Sequence, residues 1–516
     1  MLKSIYEKAI LFFRSRIFSI LSALFLSLGV INRLYDPWFL NSALPYSDSY
    51  TLVTQILDIT TYGKIIGVSF YSNLFPYSLS IPVSVFGLNP ISVVKWFGPM
   101  LGVLLFLVSF YVLRKVLNSN YAVLFGIISF SSAFPLNWLF LRSDITRAET
   151  LCIFVFALVI VLTLWHQKSG KNRYISLSWI LFIFALLIEP LTAFGLFIFL
   201  TVYEVLSRSK HWRFRLSIIL FLLLSAVACL LYIYGVQWGF ENSFSIFIDN
   251  LLPPTPILYS NLFDAIGYVL TILSFLGIGY TLITREKKWL PLTITWLTFF
   301  ALIYVPVYWF SLTTLPLLVI RLESIFELCT LFQAAIGFEA LLSCILKIKD
   351  MSTSAVKNVS SSVFADRTKT FVAFLILFLV VSTAIQYSFT EYVVSTGVPN
   401  EDYNAFLWLS SNEKLPVNSS LIVFGNPQES DYREAIVRAL TLKSNLYYFD
   451  VSDWPTLNTS IVRSENIGVK SIYVTVSVTY SSDFSRAQEM LLGEGFILIY
   501  DKGASIFSIS NKINGS

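Results

Sequence analysis

Charged residues are scarce in this sequence. Only 13% of its 516 residues are Asp, Glu, Lys or Arg, whereas about a quarter is usual in soluble globular proteins. Hydrophobic residues reach 56%, and apolar runs recur between Ile17 and Tyr387. Runs of about 20 residues are long enough to cross a bilayer as helices. This balance excludes a soluble globule and predicts a polytopic α-helical membrane protein.

Cysteine and histidine are also scarce, and neither residue type forms a cluster. The four cysteines all lie inside apolar runs, without the paired spacing of zinc or iron–sulfur ligands. The two histidines, His166 and His211, lie at the predicted cytoplasmic edge, isolated from carboxylates. We therefore expect no disulfide framework and no metal–thiolate centre, and we assign neither histidine a role.

The distribution of Lys and Arg predicts how the chain crosses the membrane. About eleven spans are expected, at residues 17–34, 91–113, 120–140, 147–165, 175–189, 191–206, 216–236, 263–284, 289–310, 321–346 and 370–389. With a cytoplasmic N-terminus, 21 basic residues fall in cytoplasmic loops and six in outer loops, as the positive-inside rule requires. The prediction is a multi-pass plasma-membrane protein with its C-terminal segment outside. Residues 69–90, interrupted by three prolines, are interpreted as an interfacial or re-entrant segment.

The composition changes after Thr390. Residues 391–516 carry fourteen acidic and nine basic residues, so an acidic segment follows a basic membrane part. Helical periodicity is found at residues 401–412, 432–443 and 485–492, and strand patterns at 421–424, 446–449, 472–476, 496–500 and 506–509. The sequence thus predicts a transmembrane domain over 1–390 and a small extracytosolic α/β domain over 391–516.

Several ionisable residues gather at the predicted outer ends of the spans. Asp48 opens an amphipathic stretch, predicted to lie along the membrane surface, where a carboxylate can meet a lipid headgroup and an aqueous acceptor. The same residue also fits an N-cap. Asp144 lies in the short second outer loop with Arg147 and Glu149. These acids fit either helix capping or a cation-binding or base-orienting role.

Two further charged positions interrupt apolar sequence on the same side. Glu189 precedes a proline at an outward turn, and Arg321 opens the tenth span two residues before Glu323. An arginine at that depth is costly unless it snorkels, pairs with a carboxylate or binds an anion. A lipid phosphate suits the guanidinium, and snorkelling with a contact to Glu323 is the alternative.

The order of these features resembles the GT-C superfamily of integral membrane glycosyltransferases, which use lipid-phosphate-linked sugars. The matching features are an acid in the first outer loop (Asp48), a tyrosine just after it (Tyr50), a glycine ending the juxtamembrane helix (Gly63), the broken segment at 71–77 and a second acid (Asp144). The stretch EDYNAFLWLSSNEKLPVNSSLIVF is similar to the opening of extracytosolic domains in archaeal GT-C proteins, including oligosaccharyltransferase catalytic subunits. The Trp-Trp-Asp-Tyr-Gly acceptor motif of those subunits is absent, which disfavours transfer of a whole glycan to asparagine.

The resemblance implies inverting transfer of a hexose or pentose from a polyprenyl (dolichyl-type) phosphate to a glycan, lipid or protein acceptor, as in protein glycosylation or cell-envelope synthesis. Asp48 would act as general base with Asp144 as a second catalytic carboxylate, and the two would hold Mg²⁺ or Mn²⁺ if a metal is used. The implied substrate-binding residues are Arg321, Tyr50, Lys64, Arg147, Glu149 and Glu189. Arg142 is a further basic residue near the phosphate, and no nucleic acid is expected as a partner.

Two other functional classes are open at this point. A transporter or lipid flippase with an extracytosolic binding domain would carry ionisable residues in mid-membrane, as Glu327 and Glu339 in the tenth span do. A sensor or assembly scaffold would not depend on Asp48. The clustering of the other charges at one surface favours the enzyme.

Overall fold

The structure is a computed structural model of the 516-residue chain. It describes residues 18–31, 34, 44, 47–65, 74–131, 146–207, 254–256, 267–284, 286, 288–310, 314–316, 319, 321–355, 400–412, 419–424, 430–441, 446–467, 469, 471–477, 484–502 and 504–510. The chain forms two compact units. The membrane unit comprises Met1–Phe39 and Gly98–Glu391, and the composite unit comprises Leu40–Phe97 and Tyr392–Ser516. The domain boundary near residue 390 stays a prediction.

Apolar helices dominate the chain up to residue 355. They are α1 (Phe18–Ile31), α2 (Ser47–Tyr62), α3 (Leu74–Phe86), α4 (Pro90–Val116), α5 (Asn120–Ser131), α6 (Ala148–Ser169), α7 (Asn172–Ile188), α8 (Pro190–Ser207), α9 (Tyr268–Thr284), α10 (Leu290–Phe310) and α11 (Glu323–Ala355). Among the described residues, five helices are long and apolar enough to cross a membrane: α4, α6, α8, α10 and α11. Helices coincide with the predicted spans wherever those spans are described, and 216–236 and 370–389 lie outside the described residues. The polytopic helical architecture is confirmed, whereas the number of eleven spans stays a prediction.

Helix ends in the membrane unit follow local sequence signals. Gly170 has φ 67°, and its N–H donates to the carbonyl of His166 at 2.7 Å, which ends α6. Glu189 is extended (φ −150°) between α7 and α8, and Pro190 opens α8, because proline is tolerated in the first helical turn. These ends turn α6, α7 and α8 into neighbouring antiparallel helices, so the start of α6, the end of α7 and the start of α8 fall on one side.

The long helices of the membrane unit pack in a closed series. Helix α6 packs against α8, α8 against α10, α10 against α11, and α11 against α6. Helix α9 lies against α11 with glycines at the crossing, Gly277 on α9 and Gly337 on α11, each close to the other helix's backbone. Close approach through small residues is typical of helices associated in membranes.

The composite unit contains a five-stranded sheet. Its elements are α12 (Asn400–Asn412), β3 (Ser419–Phe424), α13 (Ser430–Thr441), β4 (Tyr447–Val451), α14 (Trp454–Asn466), β5 (Ser471–Val476), α15 (Phe484–Gly493), β6 (Ile497–Lys502) and β7 (Ala504–Ser510), after two short strands of the membrane unit, β1 (Pro254–Pro256) and β2 (Thr314–Pro316). The strand order is β4-β3-β5-β7-β6. Strands β3, β4 and β5 are parallel, and β7 is antiparallel to β5 and β6. Every residue of β3 and β5 is buried, as expected of central parallel strands covered on both faces.

All five predicted strand patterns and all three predicted helices after Thr390 correspond to observed elements. Helix α14 was not predicted, because WPTLNTSIVRSEN is polar and only Leu457, Ser460 and Ser464 are buried. Its start is nevertheless encoded locally. Asp453 accepts a hydrogen bond from the N–H of Thr456 at 2.8 Å, and Pro455 stands in the first turn.

Helix α2 is covered by protein. Its apolar residues are 0–8% exposed, namely Leu52, Val53, Ile56, Leu57 and Ile59. They pack with α13 and α3. The sequence-based interpretation that this face lies on the membrane surface is therefore corrected, because an apolar stripe reports only that something covers it. The predicted end at Gly63 is confirmed, since Gly63 has φ 74° and its N–H donates to the carbonyl of Ile59 at 2.9 Å.

We expect the start of α14 to loosen in acid. The hydrogen bond from Thr456 lowers the pKa of the Asp453 carboxyl, so the cap stabilises the fold above the carboxyl's unfolded pKa and is lost as pH falls through its folded pKa. Hydrogen exchange at amides 456–466 of the full chain, corrected for the intrinsic pH effect, measures this. The variant Asp453→Asn keeps a capping oxygen without a titrating group, so its exchange is expected to be pH-independent. Equal acid sensitivity of both proteins would contradict the prediction.

Candidate active site

The predicted site residues divide between the two units. Asp48, Tyr50 and Lys64 belong to the composite unit, whereas Arg147, Glu149, Glu189 and Arg321 belong to the membrane unit. Asp144 and Arg142 lie outside the described residues. The predicted residues therefore form two groups, one within each unit.

Arg321 and Glu149 form an ion pair in the membrane unit. Glu149 is the second residue of α6, and Arg321 precedes α11 by two residues. An Nη1 atom of Arg321 contacts Oε1 of Glu149, with side-chain exposures of 15% and 2%. The N-terminal ends of α6 and α11 thus meet, and both present the positive end of the helix dipole. Arg147 stands at the N-cap of α6 without a side-chain cap bond. Helix starts and arginines favour an anion, and Glu149 compensates part of their positive charge here.

A buried polar layer continues from this ion pair along α11. Glu323, the first residue of α11, accepts a hydrogen bond from the Tyr304 hydroxyl of α10 at 3.4 Å. Glu327 follows one turn later and is fully buried. Further along the same helix, Thr330 accepts from the Trp296 indole at 2.7 Å, and Gln333 donates to a threonine hydroxyl of α10 at 2.9 Å. Polar side chains thus join α10 to α11 over three helical turns.

Glu189 is buried at the junction of α7 and α8. It is 3% exposed, and its backbone N–H donates to the carbonyl of Ala185 at 2.8 Å. The Cys152 thiol on α6 lies 3.6 Å from the same carbonyl and 3.9 Å from the carbonyl of Glu189. Glu189 therefore lies on the side of the unit where α6 begins.

The composite unit carries the other predicted residues on or beside α2. Asp48 is the second residue of this helix, so it lies inside the first turn and not at the N-cap. Tyr50 is fully buried; its hydroxyl donates to the Tyr403 hydroxyl at 3.1 Å and accepts from the N–H of Leu44 at 2.9 Å. Lys64 follows the helix and is exposed. Burial, with a contribution from Tyr403, raises the pKa of the Tyr50 hydroxyl well above its usual range.

A second charged group in the composite unit was missed by the sequence analysis. Asp402 and Arg433 are both fully buried, with Nε of Arg433 3.5 Å from Oδ2 of Asp402. Ser477 donates to Asp402 at 2.5 Å and accepts from Arg433 at 3.2 Å. The available signal was positional: Arg433 precedes Ile436 by three residues on the apolar face of α13, where a charge is unusual.

The predicted Mg²⁺ or Mn²⁺ site involves Asp48 and Asp144, and the side chains of both lie outside the described parts of the structure. Within those parts, no group of three or more His, Cys, Asp or Glu residues is placed to hold a metal ion. Metal binding by Asp48 and Asp144 stays a prediction.

Comparison with known proteins identifies the fold. No protein-family model matches the sequence, and no curated protein matches it. The oligosaccharyltransferase of Archaeoglobus fulgidus, solved in complex with Zn and sulfate, matches with a TM-score of 0.50 and 13% identity, over 89% of this chain and 68% of that one. The mycobacterial arabinofuranosyltransferase AftD matches with a TM-score of 0.48 and 12% identity, and this chain spans 40% of its length. The protein thus has the fold of the GT-C membrane glycosyltransferases, as the resemblance in its sequence implies.

Proposed function

We propose that this protein is an inverting membrane glycosyltransferase that moves a hexose or pentose from a polyprenyl (dolichyl-type) phosphate to a glycan, lipid or protein acceptor on the outer face of the plasma membrane. The observation that carries the proposal is the ion pair between Arg321 and Glu149 where the starts of α6 and α11 meet. A guanidinium offers two parallel N–H donors to phosphate oxygens. The shared fold supports the same class of reaction.

The proposed chemistry is a single displacement at the anomeric carbon. The acceptor hydroxyl oxygen attacks this carbon while Asp48 takes the hydroxyl proton. The bond from the anomeric carbon to the phosphate oxygen breaks, and the lipid phosphate leaves with the electron pair. Arg321 stabilises the negative charge that develops on the leaving phosphate. One displacement from the opposite face inverts the anomeric configuration.

Glu149 orients the arginine in this mechanism. A buried guanidinium without a counter-ion is strongly destabilising, and removal of one partner of a buried pair typically costs about 3–5 kcal/mol. Glu149 compensates the charge when no donor is bound. Donor phosphate then competes for the N–H groups of Arg321, and Arg147, two residues before Glu149, adds a second positive charge near the same helix start.

The test is a transfer assay with the purified full chain in liposomes, supplied with radiolabelled polyprenyl-phosphate hexoses and pentoses and an acceptor extract. We expect Arg321→Gln to lower kcat about 10²- to 10³-fold, the usual effect of removing a charge-stabilising donor. Arg321→Lys is expected to recover part of that loss, because lysine keeps the charge without the planar fork. Arg173→Gln, at the opposite end of α7 from Glu189, is the control and is expected to be fully active. Unchanged kcat in Arg321→Gln would refute the phosphate role.

The transporter alternative is favoured by one observation, the fully buried Glu327 inside α11. A flippase would move labelled lipid phosphate across the liposome membrane without cleaving the sugar. The same assay separates the two classes, since the enzyme releases free polyprenyl phosphate and labels the acceptor. Translocation of intact donor without acceptor labelling would overturn the proposed function.

A further inference from the structure

The first outer loop and the C-terminal segment of this protein are one structural body. Residues Leu40–Phe97 group with Tyr392–Ser516 by their contacts. Helix α2, which begins one residue before Asp48, therefore has a contact partner, Tyr403, some 350 residues away in the sequence. Its buried face packs on α13 as well as on α3. The position of Asp48 thus depends on elements of the C-terminal segment.

Two polar contacts fix α2 to this segment. The Tyr50 hydroxyl donates to the Tyr403 hydroxyl of α12 at 3.1 Å, and the two rings meet edge to face with centroids 6.3 Å apart. The Thr54 hydroxyl lies 3.3 Å from the carbonyl of Ala435 on α13 and 3.1 Å from the carbonyl of Tyr50 in its own helix, so its single hydrogen is shared between the two acceptors. Tyr50 and Thr54 are one helical turn apart, so both contacts come from one side of α2. Together they restrain rotation and sliding of the helix.

The partners of α2 are themselves anchored by the buried charged group. Tyr403 follows Asp402 in α12, and Ala435 lies two residues after Arg433 in α13. Asp402 and Arg433 pair with each other and with Ser477, whose N–H donates to the carbonyl of Phe424 at 2.9 Å. Phe424 and Ser477 mark the carboxyl ends of β3 and β5, where the sheet order reverses. In open α/β sheets this edge is where ligands bind.

We propose that the C-terminal segment acts as a platform that positions α2, and with it Asp48, and that Tyr403 is the positioning residue at the contact. In other α/β domains this edge of the sheet binds ligands. Here it anchors α12 and α13, and these two helices hold α2. The inference rests on the proposed function, since it assigns Asp48 the role of base. It adds that transfer depends on a residue about 350 positions from that base. Burial raises the pKa of the Tyr50 hydroxyl well above its usual range, so this donor stays protonated at physiological pH.

The test uses Tyr403→Phe in the full chain. This variant keeps the ring and removes only the accepting hydroxyl. We expect kcat to fall about tenfold with an unchanged KM for the polyprenyl-phosphate sugar, because misplacement of a catalytic group slows turnover without weakening donor binding. Tyr50→Phe loses the same bond and also the acceptor of the Leu44 N–H, so it is expected to slow turnover at least as much. The double variant is expected to be no worse than Tyr50→Phe. Hydrogen exchange at residues 50–62 is expected to accelerate in all three.

Tyr500→Phe is the matched control. Tyr500 is a buried tyrosine of the same unit, packed on Trp408 and located on β6 outside the helices that hold α2, and this variant is expected to keep wild-type kcat and exchange. Wild-type kcat in Tyr403→Phe would overturn the platform, even if its exchange changes. Full activity of Asp48→Asn is a different result, because it removes the base and refutes the proposed function itself. Loss of activity in Asp48→Asn with full activity in Tyr403→Phe refutes the platform alone.

Discussion

Asp48→Asn is expected to lower the rate of sugar transfer by about 10²- to 10⁴-fold, the range that a general base contributes. The asparagine side chain has the same shape and cannot accept the proton of the acceptor hydroxyl. Donor binding is expected to persist, since in the proposed mechanism the phosphate is held by Arg321. The measurement is kcat and KM for a labelled polyprenyl-phosphate sugar with the full chain in liposomes.

A loss of charge at the start of a helix is the competing explanation for that result. Asp48 is the second residue of α2, and a carboxylate there also interacts favourably with the helix dipole. Glu401 is the second residue of α12 in the same unit and is exposed. Glu401→Gln therefore removes a charge from an equivalent position, and it is expected to keep full activity. Equal activity of Asp48→Asn and wild type would reject Asp48 as the base.

Local sequence patterns were sufficient to predict most secondary structure of this protein. Helices and strands fall where hydrophobic periodicity places them, because that periodicity follows directly from which residues are covered. The same signal does not say what does the covering. The apolar stripe of α2 therefore suggested a membrane surface, whereas in the structure α3 and α13 cover it. The contact between α2 and α13 spans about 380 residues and leaves no local trace in a single sequence.

For the charged residues too, the sequence does not show which residues contact each other. Glu149 and Arg321 stood out individually, because charges at the ends of apolar spans are costly and need a partner. Their mutual contact depends on the packing of α6 against α11, which composition does not determine. The burial of Arg433 was not predicted, because a single arginine in a mixed α/β segment is usually exposed. Both the Glu149–Arg321 contact and the burial of Arg433 are therefore set by tertiary packing, which local propensity does not report.

Gly277→Ala is expected to disrupt the packing of α9 on α11. A methyl group added at Gly277 would overlap the carbonyl oxygen of Gln333 and lie 2.9 Å from the backbone nitrogen of Gly337. Both obstacles are helix backbone, so no side-chain rotation relieves them and the helices must separate. Overpacking of a well-packed core costs about 1–3 kcal/mol, and a backbone obstacle places this variant at or above the upper end. Separation also weakens the attachment of α11, which carries Glu323 and follows Arg321.

Gly279→Ala provides the matched control on the same helix. Among the described residues, no atom beyond its chain neighbours and its own helix backbone lies within 4 Å of a methyl group added at Gly279. Both substitutions gain the same helix propensity, about 1 kcal/mol in favour of alanine, so their difference isolates the steric clash. Thermal unfolding midpoints of the full chain in lipid nanodiscs are expected to fall for Gly277→Ala and for Gly337→Ala, and to hold or rise for Gly279→Ala. Equal midpoints for Gly277→Ala and Gly279→Ala would show that α9 and α11 do not cross at these glycines.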